Sequence, residues 1–263
     1  MAKLLNKRVL ITVKAYPNPS KKYGETVCCA GIDIDTLQWT RLYPIPYRDL
    51  DISQKFKKYT IISVKCWKAD DKRVESFKVD SNSIQKLSYL NTKRKWEDRK
   101  KFVLHNVSNS FCTILQNVEQ NKSLGTFKPH NIEFFWKKTT LESEEKRKAC
   151  YAQLSFFDKR KDAIEQIPYD FYYQFKCYKN NDCPGHKLPI IDWEIGQAYR
   201  KWYKDYENKE QLLLNIKKKW LAHICSEKND VYFYVGNMKR FHNQFMVLGV
   251  FYPPNTTNQI SLF

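Results

Sequence analysis

Glycine is scarce in this chain, at 7 of 263 residues, and the few present are scattered. Loops that cradle phosphates use clustered glycines so that the backbone can approach the anion. Neither Gly-x-x-x-x-Gly-Lys nor Gly-x-Gly-x-x-Gly occurs, so nucleoside-triphosphate hydrolysis and dinucleotide redox chemistry are poor expectations. No window approaches the 18 or so uninterrupted apolar residues of a membrane helix. The apolar run within Met1–Val13 is too short for a signal peptide and has no small-residue cleavage site after it. The expectation is a cytoplasmic protein with no membrane partner. Also missing are a nucleophile elbow, a His-Glu-x-x-His pair and a deaminase signature.

Positive charge and aromatic rings are abundant. Lys and Arg number 46 against 28 Asp and Glu, a formal net charge of +18, alongside 16 Phe, 17 Tyr and 7 Trp. Disordered basic tails lack aromatics, so this is a folded chain, long enough for one large domain or two small ones. The charge is uneven: residues 51–100 carry a net +7, residues 151–200 none, and the last 13 residues contain no charged side chain. Its densest stretch is Lys93, Arg94, Lys95, Arg99, Lys100 and Lys101. Such a run is often only a solvated face, but +18 on a folded chain makes a long-range field that attracts polyanions. Nucleic acid fits best, because aromatics stack bases while Lys and Arg hold phosphates. These six residues are the candidate DNA contacts.

The pattern along the chain predicts an α+β fold. Residues 1–118 read as a β-rich basic domain, a small barrel or bent sheet, with strands near 8–13, 26–32, 39–42 and 59–67 and a helix over about 81–118. Trp96, Val103, Val107, Phe111, Ile114 and Val118 would form the buried stripe of that helix. Residues 119–165 read as a charged connecting region. Residues 166–252 form a second, mixed α/β segment: a strand at 169–177, a Cys/His loop, helices from about 192 and over 209–225, and strands at 231–235 and 245–252. Pro253 and Pro254 open a polar tail, 253–263.

Cys177, Cys183 and His186 fall within ten residues at a strand end, and the Pro184-Gly185 turn can aim the last two at one point. Cys225 and His223, at the end of the late helix, are the best candidates for a fourth ligand, with Cys150 behind them. A closed set of four would be a structural zinc site. An iron–sulfur cluster is rarer, and a metal-free packing role stays open. The remaining cysteines read as small buried hydrophobes. Asp192 suits a helix N-cap with Glu194 in the first turn. The alternative is a carboxylate pair for catalytic Mg²⁺, although on a helix the two diverge by about 200°. Glu75 and His242 are further weak catalytic candidates, and no constellation links the four.

The last five residues are Gln259-Ile260-Ser261-Leu262-Phe263. This peptide resembles the motif by which bacterial replication and repair proteins dock on the polymerase sliding clamp. The resemblance implies that Leu262 and Phe263 fill an apolar pocket, that Gln259 sets the register, and that the preceding spacer is a tether. A terminal strand packed on the core is the rival reading. Gln153-Leu154-Ser155-Phe156-Phe157 is an internal near-copy, better read as core or a packed turn. Together these features lead us to expect a DNA-binding protein tethered to the sliding clamp, in replication, repair or phage defence. A metal-dependent nuclease or base-processing enzyme and an RNA-binding module are the alternatives.

Overall fold

A computed structural model of the chain describes residues 3–20, 24–142, 145, 167–178, 182–239 and 241–255. Its first strand explains why the sequence is apolar where it is. β1 (Leu4–Lys14) pairs antiparallel with β3 (Gly24–Asp33) along one edge and with β5 (Thr60–Lys68) along the other. Strands covered on both faces read as continuous apolar runs, and residues 9–13 are all buried. Val9 and Ile11 point into one core, Leu10 into another, as the two-residue period of a strand requires. A bulge between Ile11 and Val13 then shifts the phase and sends Val13 to the side of Leu10.

From β3 the sheet continues to β4 (Trp39–Ile45), which lies parallel to β6 (Ser76–Val79), and β6 returns to β5. The β1–β5 pairing closes this path into a five-stranded barrel, the more compact of the two expected forms. β2 (Asn18–Ser20) extends the sheet beyond β3, and β7 (Gln85–Tyr89) pairs with β5. Gly31 has no freedom to carry a side chain, because the Leu10 carbonyl occupies the place of its Cβ.

The helix expected over 81–118 is broken into pieces. Gln85–Tyr89 is β7, α1 spans Lys93–Val103, β8 is Val107–Ser108, and α2 is Phe111–Gln116. Pairing with β5 overrides local preference in the first piece. Ser110 starts a new helix, its hydroxyl accepting from the Thr113 N–H at 3.0 Å. The supposed single stripe is therefore split: Trp96 and Val103 pack at the barrel, whereas Phe111 and Ile114 belong to the second core.

The stretch read as connecting contains two strands, β9 (Leu124–Phe127) and β10 (Pro129–Lys138). On β10 the polar residues Glu133, Lys137 and Lys138 are exposed, while Phe134 between them is buried. β10 pairs with β11 (Tyr169–Cys177), and β11 with β12 (His186–Pro189). A second sheet runs β14 (Phe241–Phe251), β13 (Tyr232–Met238), β9, β8. α3 (Trp193–Tyr203) and α4 (Lys209–Lys217) pack with them, and α4 runs on into a π-helical turn, Lys218–His223.

The barrel and the second half share a core. Leu10, Tyr59 and Ile61 of the barrel pack with Leu124, Tyr234, Leu248 and Phe251. Polar groups fix the register of this joint. Arg41 donates to Ser123 Oγ at 2.9 Å, and Ser123 donates to Glu75 from its N–H and its hydroxyl. Gly196 on α3 admits the ring of Tyr16, which follows β1. Among the described residues no helix is long and apolar enough to cross a membrane.

Candidate metal centre and junction cleft

Four ligand-type side chains converge in the second half: Cys112, Cys177, Cys183 and His186, whose ligand atoms all lie within 4.8 Å of one another. Capping by Ser110 sets Cys112 in the first turn of α2. Cys177 ends β11, His186 opens β12, and the connection between them turns at Gly185, whose φ of 87° favours glycine. The Sγ atoms of Cys112 and Cys177 are 3.8 Å apart, and His186 Nε2 lies 3.3 Å from Sγ of both Cys112 and Cys183. A tetrahedral zinc with Zn–S bonds of about 2.3 Å has S···S edges of about 3.8 Å, so the spacing fits one ion.

The electrostatics suit ligation. Burial lowers the His186 pKa and keeps the imidazole neutral, the form that ligates. Cys183 is lowered although burial opposes its thiolate, because backbone N–H groups of Cys177 and Gly185 donate to it. Burial pushes Cys112 up to about 12, so without a cation its proton is held. A metal bound here would displace that proton.

The set of four corrects one expectation. Cys225 is not a member; its thiol faces the Tyr173 hydroxyl at 3.8 Å, and burial pushes its pKa up to about 12. Cys112, read as a plain buried thiol, takes its place. No local spacing announces this, since 65 residues separate Cys112 from Cys177 and only the fold joins them. Cys150, like Gln153–Phe157 and the Gln259–Phe263 tail, lies outside the described residues.

A second feature opens where the barrel meets the second half: a cleft of about 730 Å³. The barrel side contributes Lys14, Lys57, Lys58 and the rings of Tyr59 and Tyr89, and α1 adds Trp96 and Arg99. Opposite in sequence, α3 contributes Trp193, Glu194, Lys201 and Trp202, and the π-helical turn contributes Lys219 and Trp220. Tyr252, just past β14, completes the aromatic lining. Six basic side chains thus line the cleft with a single acid, Glu194.

Lys58 organises its floor. The buried ammonium lies 2.6 Å from Asp192 and 3.2 Å from Glu194. Asp192 is at the same time the N-cap of α3, accepting from the Glu194 N–H at 3.1 Å. Burial pushes the Asp192 carboxyl up to about 6, low enough to stay ionised at neutral pH beside Lys58. Lys58 in turn holds Glu194 below its ordinary value. These carboxylates, weak candidates for a catalytic cation, converge on an ammonium instead. Of the other two, Glu75 is buried in the joint with Ser123, and His242 is exposed on β14.

The basic run lies at the same place. Lys93, Arg94, Lys95 and Lys101 are exposed, and Lys100 is half-buried. Arg94 pairs with Asp98 at 2.8 Å, and Lys101 lies 3.7 Å from it. Arg99 is withdrawn from the surface: its guanidinium sits 3.9 Å over the Tyr59 ring and donates to the Leu90 carbonyl at 2.8 Å and the Tyr89 hydroxyl at 3.1 Å. It props the aromatic wall instead of meeting a phosphate. Sequence reasoning missed Lys58, Trp193 and Trp202, whose shared cleft is assembled from segments more than 130 residues apart.

Among known families, residues 107–263 match the one described as Domain of unknown function (DUF8757), and residues 5–105 match that described as Domain of unknown function (DUF8758). The chain belongs to the DUF8757 family. No curated protein matches it. The two matches meet where the barrel and α1 end, so all four Cys/His groups belong to the DUF8757 part, whereas the cleft needs both parts.

Proposed function

We propose that this protein binds DNA along the basic mouth of the junction cleft, with its second half stiffened by one structural zinc. The observation that carries the reading is the lining of the cleft: with Lys58 paired and Arg99 turned onto the rings, Lys14, Lys57, Lys201 and Lys219 remain against one carboxylate, beside the exposed ring of Tyr89 and the half-buried rings of Trp96, Trp202 and Tyr252. Phosphates favour such a field and bases favour such walls. The exposed cations of α1 extend it outward. Zinc suits the Cys₃His donor set, and four protein ligands leave no open position for catalysis. The tail Gln259–Phe263 supplies the address: it resembles clamp-docking peptides, and a tether to a sliding clamp would raise the local concentration of DNA to roughly millimolar.

The test is binding of a labelled DNA strand and duplex over a salt series, with Lys201→Glu/Lys219→Glu as the disabling variant. Affinity should fall with salt and weaken by about tenfold or more in the variant. Equal affinity of variant and parent would sink the reading. Removal of Leu262 and Phe263 should abolish capture by the purified clamp and leave DNA affinity unchanged.

A further inference from the structure

The cleft is more specific in its chemistry than a polyanion track requires. We propose that it is a pocket for one nucleobase joined to a phosphate, a base turned out of a strand: the rings take its faces, Glu194 takes N–H donors on its edge, and the rim lysines take the phosphate. This rests on the nucleic-acid reading above and deepens it.

Size comes first. About 730 Å³ falls in the range of small-ligand sites, about 300–1,000 Å³, and admits a nucleotide but no duplex. The walls come second. Trp96, Trp202 and Tyr252 are only half-buried and Tyr89 is 53% exposed, so their rings stay open to the cleft. Base stacking on such rings is tolerant of sequence because every base has a π-face.

The backbone goes to unusual lengths to place these rings. Arg94, Lys95 and Trp96 hold φ of 50°, 53° and 67°, three successive left-handed residues that each carry a side chain. That conformation is disfavoured for such residues, and here it sets Trp96 against Tyr252 at 5.0 Å and Phe251 at 5.6 Å. On the other side, Lys219 and Trp220 sit in a π-helical turn, a distortion frequent at functional sites. Arg99 locks the barrel wall from behind, as a positioning residue.

Edge recognition falls to Glu194. Beside Lys58 it stays ionised and therefore only accepts hydrogen bonds. Guanine, adenine and cytosine each offer an exocyclic amine. Thymine and uracil flank their one ring N–H with two carbonyls, which repel a carboxylate. The pocket should prefer the amine-bearing bases, and Glu194→Gln, which can also donate, should erase that preference while Lys58 keeps Asp192 as partner.

The deciding experiment compares a short single strand with an abasic strand of the same length, which keeps every phosphate and loses every base. The normal strand should bind about tenfold or more tighter, a nucleoside monophosphate should compete for the same site, and Trp96→Leu and Trp202→Leu should each shrink the difference, with far-ultraviolet circular dichroism confirming the fold. Equal binding of the two strands overturns the base pocket and leaves the DNA reading standing. Saturable binding of the mononucleotide with no binding of any strand supports the pocket, assigns it to free nucleotides, and overturns the DNA reading. If neither strand nor mononucleotide binds, both ideas fall.

Discussion

The Cys/His cluster is assembled within one half of the chain from buried and half-buried groups, whereas the cleft is shared between two halves and lined by open rings and cations. In the cluster every donor faces the others, and nothing is left to meet a ligand from outside. The cleft leaves half-buried rings and the cations Lys57, Lys201 and Lys219 facing solvent. Groups that satisfy one another contribute stability, and groups left unsatisfied by the fold are available for binding. The metal site should therefore govern whether the second half is folded, and the cleft what the folded protein holds. Perturbing the cleft should leave the metal content almost unchanged, whereas losing the metal should also weaken the cleft, since one of its walls comes from that half.

Metal removal gives the largest expected effect. Stripping the ion with a strong chelator, or replacing Cys183 by Ala, removes a cross-link between α2, β11 and β12. Structural zinc sites contribute several kcal/mol or more, and at about 2–4 °C per kcal/mol the melting temperature should fall by about 10 °C or more. Elemental analysis should give one zinc per chain for the parent and for Cys225→Ser, and none for Cys183→Ala. A parent without stoichiometric metal would defeat the comparison at its root.

Next in size is the buried ion pair beneath the cleft. Replacing Lys58 by Met strands the Asp192 carboxylate in the joint, and breaking a buried pair from one side costs about 3–5 kcal/mol. The double variant Lys58→Met/Asp192→Leu should recover part of that loss, less the N-cap of α3, worth about 1 kcal/mol. Denaturant unfolding of the parent and the two variants measures both quantities. A Lys58→Met protein as stable as the parent would mean that the pair lies open to water.

How much of this is legible in the sequence follows the same divide. The continuous apolar run of β1, the strand Tyr169–Cys177 and the Asp192 cap all announce themselves, because each depends on neighbours within a few residues. Three of the four Cys/His groups are legible for the same reason, lying between Cys177 and His186. Cys112 is not, since α2 reaches β11 only through the packing of Phe111 and Ile114 into the second core. The cleft is less visible still. Trp96 reads as a stripe residue because a left-handed turn has no side-chain signature, and Lys58 reads as one more surface lysine until Asp192 arrives beside it. Strand β10 is hidden by the polar residues on its exposed face, and β9, though wholly buried, is only four residues long.

Smaller again is the effect of charge on the cleft rim. Lys201 and Lys219 are exposed, so reversing either should change stability by no more than about 0.5 kcal/mol. DNA affinity should nonetheless drop several-fold per residue, with the salt slope reduced by about 0.7–0.9 for each phosphate left without its cation. A fall in stability with affinity intact would invert the division between the two sites.

The subtlest prediction concerns Lys14, which belongs to both sides of the division. Its ammonium lies 3.6 Å over the Tyr47 ring and 4.8 Å from that of Trp193. Burial, reinforced by Lys58, lowers its pKa from 10.5 to about 8. Between pH 8 and 10.5 the unfolded chain binds the proton more tightly than the folded one, so this lysine's penalty fades and stability rises with pH across that window. Affinity should move the other way, because above pH 8 the cleft loses a cation that a phosphate would otherwise keep protonated. Lys14→Met isolates both trends from the other titrating groups. At about pH 7 the variant should be more stable than the parent by about 1–2 kcal/mol, with the advantage gone near pH 10. It should bind DNA more weakly at about pH 7 and almost equally near pH 10. Parallel pH profiles for parent and variant would place Lys14 outside the cleft's field, since only a group charged near neutral pH and neutral in mild alkali can make stability and affinity trade against each other.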